Sequence, residues 1–154
     1  MNWLNDGAVG LAPQISMNRG WCHFPHTADL GVRGWGDTVE AAFEEAAMGL
    51  MAAITSSVVA PLEPVAISCR SSSLDLLLVA WLNAVIYEMT SRQVLFGRFE
   101  VHISGNRLSA IAWGEPVDRV KHEPICEPKG ATVTELKVCR DTHGTWTARC
   151  VIDV

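Results

Sequence analysis

Residues 73–89, SLDLLLVAWLNAVIYEM, constrain the fold more than any other stretch of the chain. Leu74, Leu77, Leu78, Trp81, Val85 and Met89 recur at the three-and-four spacing of one helical face. Leu76, Val79, Leu82 and Ile86 make the other side apolar too. A helix apolar nearly all round is buried on both sides, so this one is predicted to be the central helix. Ser72, with Asp75 three residues on, is its predicted cap, and the helix is predicted to end near Thr90. The apolar run from Leu74 to Tyr87 is shorter than the roughly 20 residues of a membrane span, and Asp75 and Asn83 interrupt it. It reads as a core helix, with no membrane partner.

The rest of the pattern supplies strands and one further helix. Short extended segments at Cys22–Phe24 and Leu30–Trp35 flank an HTAD loop, and Gly34 and Gly36 read as releasing the chain from the strand. Asp37 with Glu40 resembles a capping box. Val39, Phe43, Ala46, Ala47, Leu50, Met51 and Ile54 then follow helical spacing until Thr55-Ser56-Ser57. Pro61 and Pro64 bound a connection to a strand at Val65–Cys69. Phe99, Val101 and Ile103 alternate with polar residues, Ser104-Gly105-Asn106 is a hairpin turn, and Leu108–Trp113 returns. Val133–Arg140 and Thr145–Ile152 flank a turn at residues 141–144. The economical arrangement is an α+β two-layer sandwich: a largely antiparallel sheet with two helices packed on one face.

The 154 residues suit one domain with a real core. Residues 1–20 read as a weakly ordered extension and 21–154 as the domain, with Met17 an alternative natural start. The first sixteen residues lack a basic segment and a continuous apolar run, which argues against a secretory signal. Five cysteines without a CxxC pair suggest reduced, apolar-packing thiols in the cytoplasm. A net charge of -5 with singly scattered basic residues argues against binding DNA or RNA by bulk electrostatics. Contact with RNA would have to be local or lent by a partner protein. The tryptophans at 21, 35, 81, 113 and 146 read as packing residues.

Three places carry candidate chemistry. Asp153 is the penultimate residue, beside the carboxylate of Val154, on a strand pattern that runs to the end. Two carboxylates so close form an oxygen-rich locus for Mg²⁺, Ca²⁺ or Mn²⁺, or a solvated tail. His26 and Asp29 either complete such a site or form an Asx turn with a backbone-bonded histidine. Lys121-His122 lies in an exposed-looking stretch. No nucleophile elbow and no GxGxxG follows a strand, so no catalytic residue is assigned.

Taken in order, HTADLGVRGWGDTVEAAFEEAA (26–47), SLDLLLVAWLNAVIYEM (73–89), WGEPVDRVKH (113–122), EPKGATVTELKV (127–138) and VIDV (151–154) resemble the archease family. The resemblance covers residues 21–154, essentially the whole domain. It implies an accessory protein without catalytic turnover of its own, acting on RtcB-type RNA ligase. Such a ligase joins 2′,3′-cyclic phosphate or 3′-phosphate RNA ends to 5′-hydroxyl ends. The implied role is to promote transfer of GMP from GTP to the ligase's histidine, so that the ligase turns over repeatedly in tRNA splicing or RNA repair. RNA is then met only through the ligase. An alternative is a chaperone-like effect on a tRNA methyltransferase, and a small metal-dependent hydrolase ranks last for want of a nucleophile.

By position, Asp29 and Asp153 correspond to the family's metal-binding acids. The Val154 carboxylate is a further implied ligand, with His26 a less direct one, and Lys121 matches a basic residue tied to ligase activation. Two departures stand out. Pro25 occupies the place of an acid directly before HTAD, and Ala80 and Ala84 replace residues often acidic in the family's second helix. Losing a carboxylate weakens divalent binding, because affinity follows ligand charge and count.

Overall fold

A computed structural model of the chain describes residues 18–154. Most of the expected N-terminal extension, with the alternative start at Met17, lies outside the described residues, and Gly20 already opens the first strand. Two strands, β1 (Gly20–His26) and β2 (Asp29–Gly36), form an antiparallel hairpin whose tight loop sets Thr27 at a φ of 41°. Helix α1 (Val39–Ile54), strand β3 (Glu63–Arg70) and helix α2 (Leu74–Arg92) follow. A long hairpin, β4 (Val94–Ser104) and β5 (Arg107–Pro116), leads to the single turn α3 (Arg119–His122). The chain closes with β6 (Gly130–Ala131), β7 (Lys137–Arg140) and β8 (Trp146–Asp153).

The fold is α+β, and its strand pairs are antiparallel. The strands divide into two sheets, which alternation alone does not reveal. One runs β1-β2-β8-β6 with β7 also on β8, and the other runs β3-β5-β4. A single buried cluster joins Val32, Ala148, Cys150 and Ile152 of the larger sheet to Val65, Val101 and Leu108 of the smaller, through both helices.

Helix α1, rather than α2, is the more enclosed of the two. Ala42, Phe43, Ala46, Ala47, Gly49, Leu50, Met51, Ala53 and Ile54 are all buried. Its alanines keep it thin enough to lie against β2 on one side and β4 on the other. Gly34 is needed for this approach: a Cβ there would stand 2.3 Å from the Ala46 nitrogen and 2.5 Å from the Ala42 oxygen. Gly34 therefore sits inside β2 to admit the helix, while Gly36 is the residue at which the strand ends. On the other side Glu44 accepts the Val101 N–H at 2.8 Å, occupying a donor on the edge strand β4.

Helix α2 buries Leu77, Leu78, Trp81, Leu82, Val85, Ile86 and Met89, while Leu76, Asn83, Tyr87 and Thr90 leave a strip exposed. Its 19 residues are long and apolar enough to cross a bilayer by length and composition, but those seven side chains pack into the core. The helix outlasts its expected end because Gln93 takes a left-handed conformation and closes it. Both caps fall one residue later than expected, at Thr38 and Ser73, whose hydroxyls accept from Ala41 and Leu76. The polar residues within α2 have structural employment. Asp75 accepts the Val138 N–H at 2.7 Å, and Asn83 accepts the Ala131 N–H at 2.8 Å. They hold the two short strands that pair with β8 along the edge opposite β2. The expected strand over Val133–Arg140 shortens to Lys137–Arg140 because Glu135 turns to a φ of 56°.

Candidate functional site

The two sequence-distant acids come together through sheet register. β2 and β8 pair from Gly36↔Trp146 to Leu30↔Ile152. Asp29 and Asp153, the last residue of β8, stand one step beyond that last pair. His26 pairs with Asp29 on the other side, and Gly130 pairs with Asp153. Paired residues share a face, so His26, Asp29 and Asp153 form a row across one end of the larger sheet, on the side away from the helices. Asn83 keeps the row in place indirectly, by fixing Ala131 next to the Gly130 that pairs with Asp153. The Lys129 N–H adds a bond to the Asp153 carbonyl at 2.7 Å.

The Lys121 segment lies at the same end. Helix α1 returns antiparallel to β2, with Ala41 against Gly36 and Gly49 against Val32, so its C-terminal Ile54 comes back toward Asp29. Ile54 accepts the Ile125 N–H at 2.8 Å, and the Thr55 hydroxyl donates to the His122 carbonyl. Residues 117–129 thus run from α3 past the end of α1 to Asp153. A cavity of about 240 Å³ opens beside them, lined among others by Ile54, Ile86, Met89, Ile125 and Cys126.

Lys121 is not a free cation in a solvated loop. Its Nζ lies 2.8 Å from both oxygens of Glu115. Glu115 also accepts the Ala60 N–H at 2.7 Å and faces the His122 Nε2 at 3.0 Å. His122 Nδ1 accepts the Asp118 N–H at 2.9 Å, so Nε2 is the nitrogen that donates to Glu115. The imidazole is almost wholly buried and satisfied at both nitrogens. Lys121 first, then the Ala60 N–H and His122, hold the Glu115 carboxyl down to about 2. Glu115 is the residue that sequence reasoning missed, and His122, expected in an exposed stretch, is buried. Their signal was available: an acid just before a short helix that ends in Lys-His.

The archease protein family profile matches residues 21–154. The chain belongs to the archease family. Pyrococcus furiosus protein archease is 36% identical over 143 residues, covering 88% of this chain and 99% of the relative. The Aeropyrum pernix archease is 33% identical over 141 residues, covering 88% and 97%. Among solved structures, the solution structure of Methanobacterium thermoautotrophicum protein 1598 superposes with a TM-score of 0.76 at 27% identity, over 88% of this chain and 99% of that one. The Thermotoga maritima archease, described as a possible chaperone, matches with a TM-score of 0.57 at 21% identity, over 85% and 94%. That last likeness concerns the fold alone.

The donor set at the sheet end bears on the divalent ion that the sequence resemblance implies. Two carboxylates in one row are hard oxygen donors suited to Mg²⁺ or Ca²⁺. His26 Nδ1 is buried and has no hydrogen-bond partner, which leaves it an open lone pair or an unmet N–H. Against this, no three His, Cys, Asp or Glu side chains converge as a ready-made cage among the described residues. Pro25 stands one residue before His26, in the strand that borders the row. These residues do not fit a closed cation cage, and an ion held by the two carboxylates would need its remaining ligands from elsewhere.

Proposed function

We propose that this archease activates an RtcB-type RNA ligase in the cytoplasm, promoting guanylylation and repeated turnover in tRNA splicing or RNA repair. The observation that carries the reading is the shared end of the molecule. There the Asp29–Asp153 row and the Lys121 segment are tied to one another through Ile54, Ile125 and Lys129. An activator can use charged groups gathered at one end of the molecule, where a partner spanning that end meets them.

A divalent ion at Asp29 and Asp153 would supply positive charge for phosphate oxygens as GMP is transferred on the ligase. This chain's own residues do the holding and orienting. Asp29 and Asp153 present carboxylates from two paired strands. His26 borders the row with its unpartnered nitrogen. Lys121, clamped by Glu115, offers its ammonium from a fixed position to a phosphate or to a ligase carboxylate. The open coordination of so few carboxylates suits an ion shared with the ligase or its nucleotide. RNA is held by the ligase in this reading.

A second reading, chaperone-like binding of a tRNA-modifying enzyme such as a methyltransferase, has one observation in its favour. Val58, Leu62, Val120 and Ile125 are 83, 66, 88 and 79% exposed on the segments that the Glu115–Lys121–His122 cluster ties together. Clustered apolar exposure of this kind marks protein-binding surface. Multiple-turnover ligation by a purified RtcB-type ligase separates the two. Activation that needs Asp29, Asp153 and a divalent ion supports the first reading. Rescue of a partner's solubility, stoichiometric and unaffected by chelator, supports the second.

A further inference from the structure

The β3-β5-β4 sheet has its inner face in the core and its outer face open. Along the central strand β5 the outward residues are Arg107, Ser109, Ile111 and Trp113. Sheet register sets Arg70 directly opposite Arg107, and Ser68 and His102 on either side of Ser109. Basic residues that look scattered in sequence are thereby gathered at one end of one face. At the other end Trp113, only half buried, carries the Arg98 guanidinium 4.2 Å from its ring centroid.

Three features of this face call for a ligand. Two arginines directly across a strand pair repel each other and destabilise the sheet unless an anion lies between them. Among the described residues neither guanidinium has a carboxylate within ion-pair distance. Arg70, Arg107, His102 and Ser68 line a concavity of about 520 Å³, so the charges border a space large enough for a phosphate group. The acid on this face, Glu100, stands opposite Ile111, nearer to Arg98 than to the arginine pair. In a chain of net charge -5, that leaves a local positive pole.

We propose that this face binds single-stranded nucleic acid, with Arg70 and Arg107 clasping a backbone phosphate and a base stacking on the Trp113–Arg98 pair. Arginine forks match phosphate oxygens bidentately, and the serine hydroxyls and His102 add donors beside them. Stacking on an aromatic or guanidinium plane is tolerant of base identity. From the Trp113 row to the Arg107 row the strand advances about 20 Å, comparable to sheet faces on which two or three bases stack. Between the two ends lie the small Ala66, Ser68 and Ser109, with Ile111 offering an apolar contact and Glu100 and His102 along the edge strand β4. This contact is local, so it coexists with the acidic net charge.

The test uses the full chain without any ligase, so its outcome is independent of the reading above. Fluorescence anisotropy of a labelled ten-nucleotide single-stranded RNA is followed from about 50 to 200 mM salt. One clasped phosphate gives a log–log salt slope near -0.7, or a weakening of roughly two- to threefold across that range. R70S/R107S is expected to lose at least tenfold in affinity together with most of the slope. R92S/R149S, which removes equal charge elsewhere, is expected to change binding less than twofold. R70K/R107K keeps the charge and the slope while losing affinity, and serves the same test should the serine variant not fold. The proposal is overturned if the RNA does not bind at low salt, or if R70S/R107S binds as wild type does. It is equally overturned if polyglutamate or duplex RNA of matched charge competes as well as the single strand.

Discussion

Asp153→Asn separates the stability of the sheet end from its capacity to hold an ion. In the metal-free protein Asp29 and Asp153 stand one step beyond the last β2–β8 pair, Leu30↔Ile152, which brings like charges to neighbouring strand ends. Such pairs destabilise by roughly 0.2–1 kcal/mol, and the exposure of Asp153 puts this one toward the low end. Removing one charge while keeping the shape should therefore raise the metal-free melting temperature, by at most about 4 °C for a chain of this size. Calcium at one hundred times its dissociation constant stabilises the wild type by about 2.7 kcal/mol, or about 5–11 °C. The asparagine variant should lose most of that gain. Thermal melts followed by circular dichroism, with calcium and with chelator, read both effects. A variant that melts lower than wild type in chelator, or that keeps the full calcium shift, refutes the reasoning. So does a wild type that calcium leaves unmoved.

Three further outcomes follow from particular contacts. Glu115 has its folded pKa lowered from an ordinary 4.5 to about 2, so its contribution is fully present above pH 4.5 and is lost as pH falls toward 2. Urea melts should show the wild type's advantage over Glu115→Gln shrinking across that window, and an advantage constant from pH 7 to 2 would contradict the network. Gly34→Ala drives a Cβ into the backbone of α1 and should cost on the order of 1–3 kcal/mol or more, seen as a lower urea midpoint with an unchanged m-value. Burial pushes the Cys150 thiol up to about 12, so Cys150 should resist alkylation at pH 8 until the protein unfolds, as peptide mapping after an iodoacetamide pulse would show.

The sequence made the local structure legible wherever the physical cause was itself local. Alternation marked the β4–β5 hairpin, and Gly105 does take the positive φ its turn requires. The three-and-four spacing located both long helices. The caps slipped by one because Asp37-Thr38 and Ser72-Ser73 each offer two residues able to cap. Gly34 was open to a second reading because its use, admitting α1, depends on a helix that contacts it only after folding. The partition into two sheets was hidden because alternation fixes a strand's faces and says nothing about its neighbours.

At the candidate site the same divide recurs. Asp29 and Asp153 stood out as surplus acids, and register supplied the adjacency that sequence separation concealed. Lys121 was visible, whereas its pairing with Glu115 and the burial of His122 depend on how the chain turns back through α3. Arg70 and Arg107 read as isolated charges until strand pairing placed them face to face.

Multiple-turnover RNA ligation by a purified RtcB-type ligase with GTP tests the central claim most directly. Wild-type protein should convert a single turnover into many when a divalent ion is present. Asp29→Ala/Asp153→Ala and Lys121→Ala should each fold, bind the ligase and fail to do so. Ligation that runs equally fast without the protein, or with both acids and the lysine removed, would contradict it.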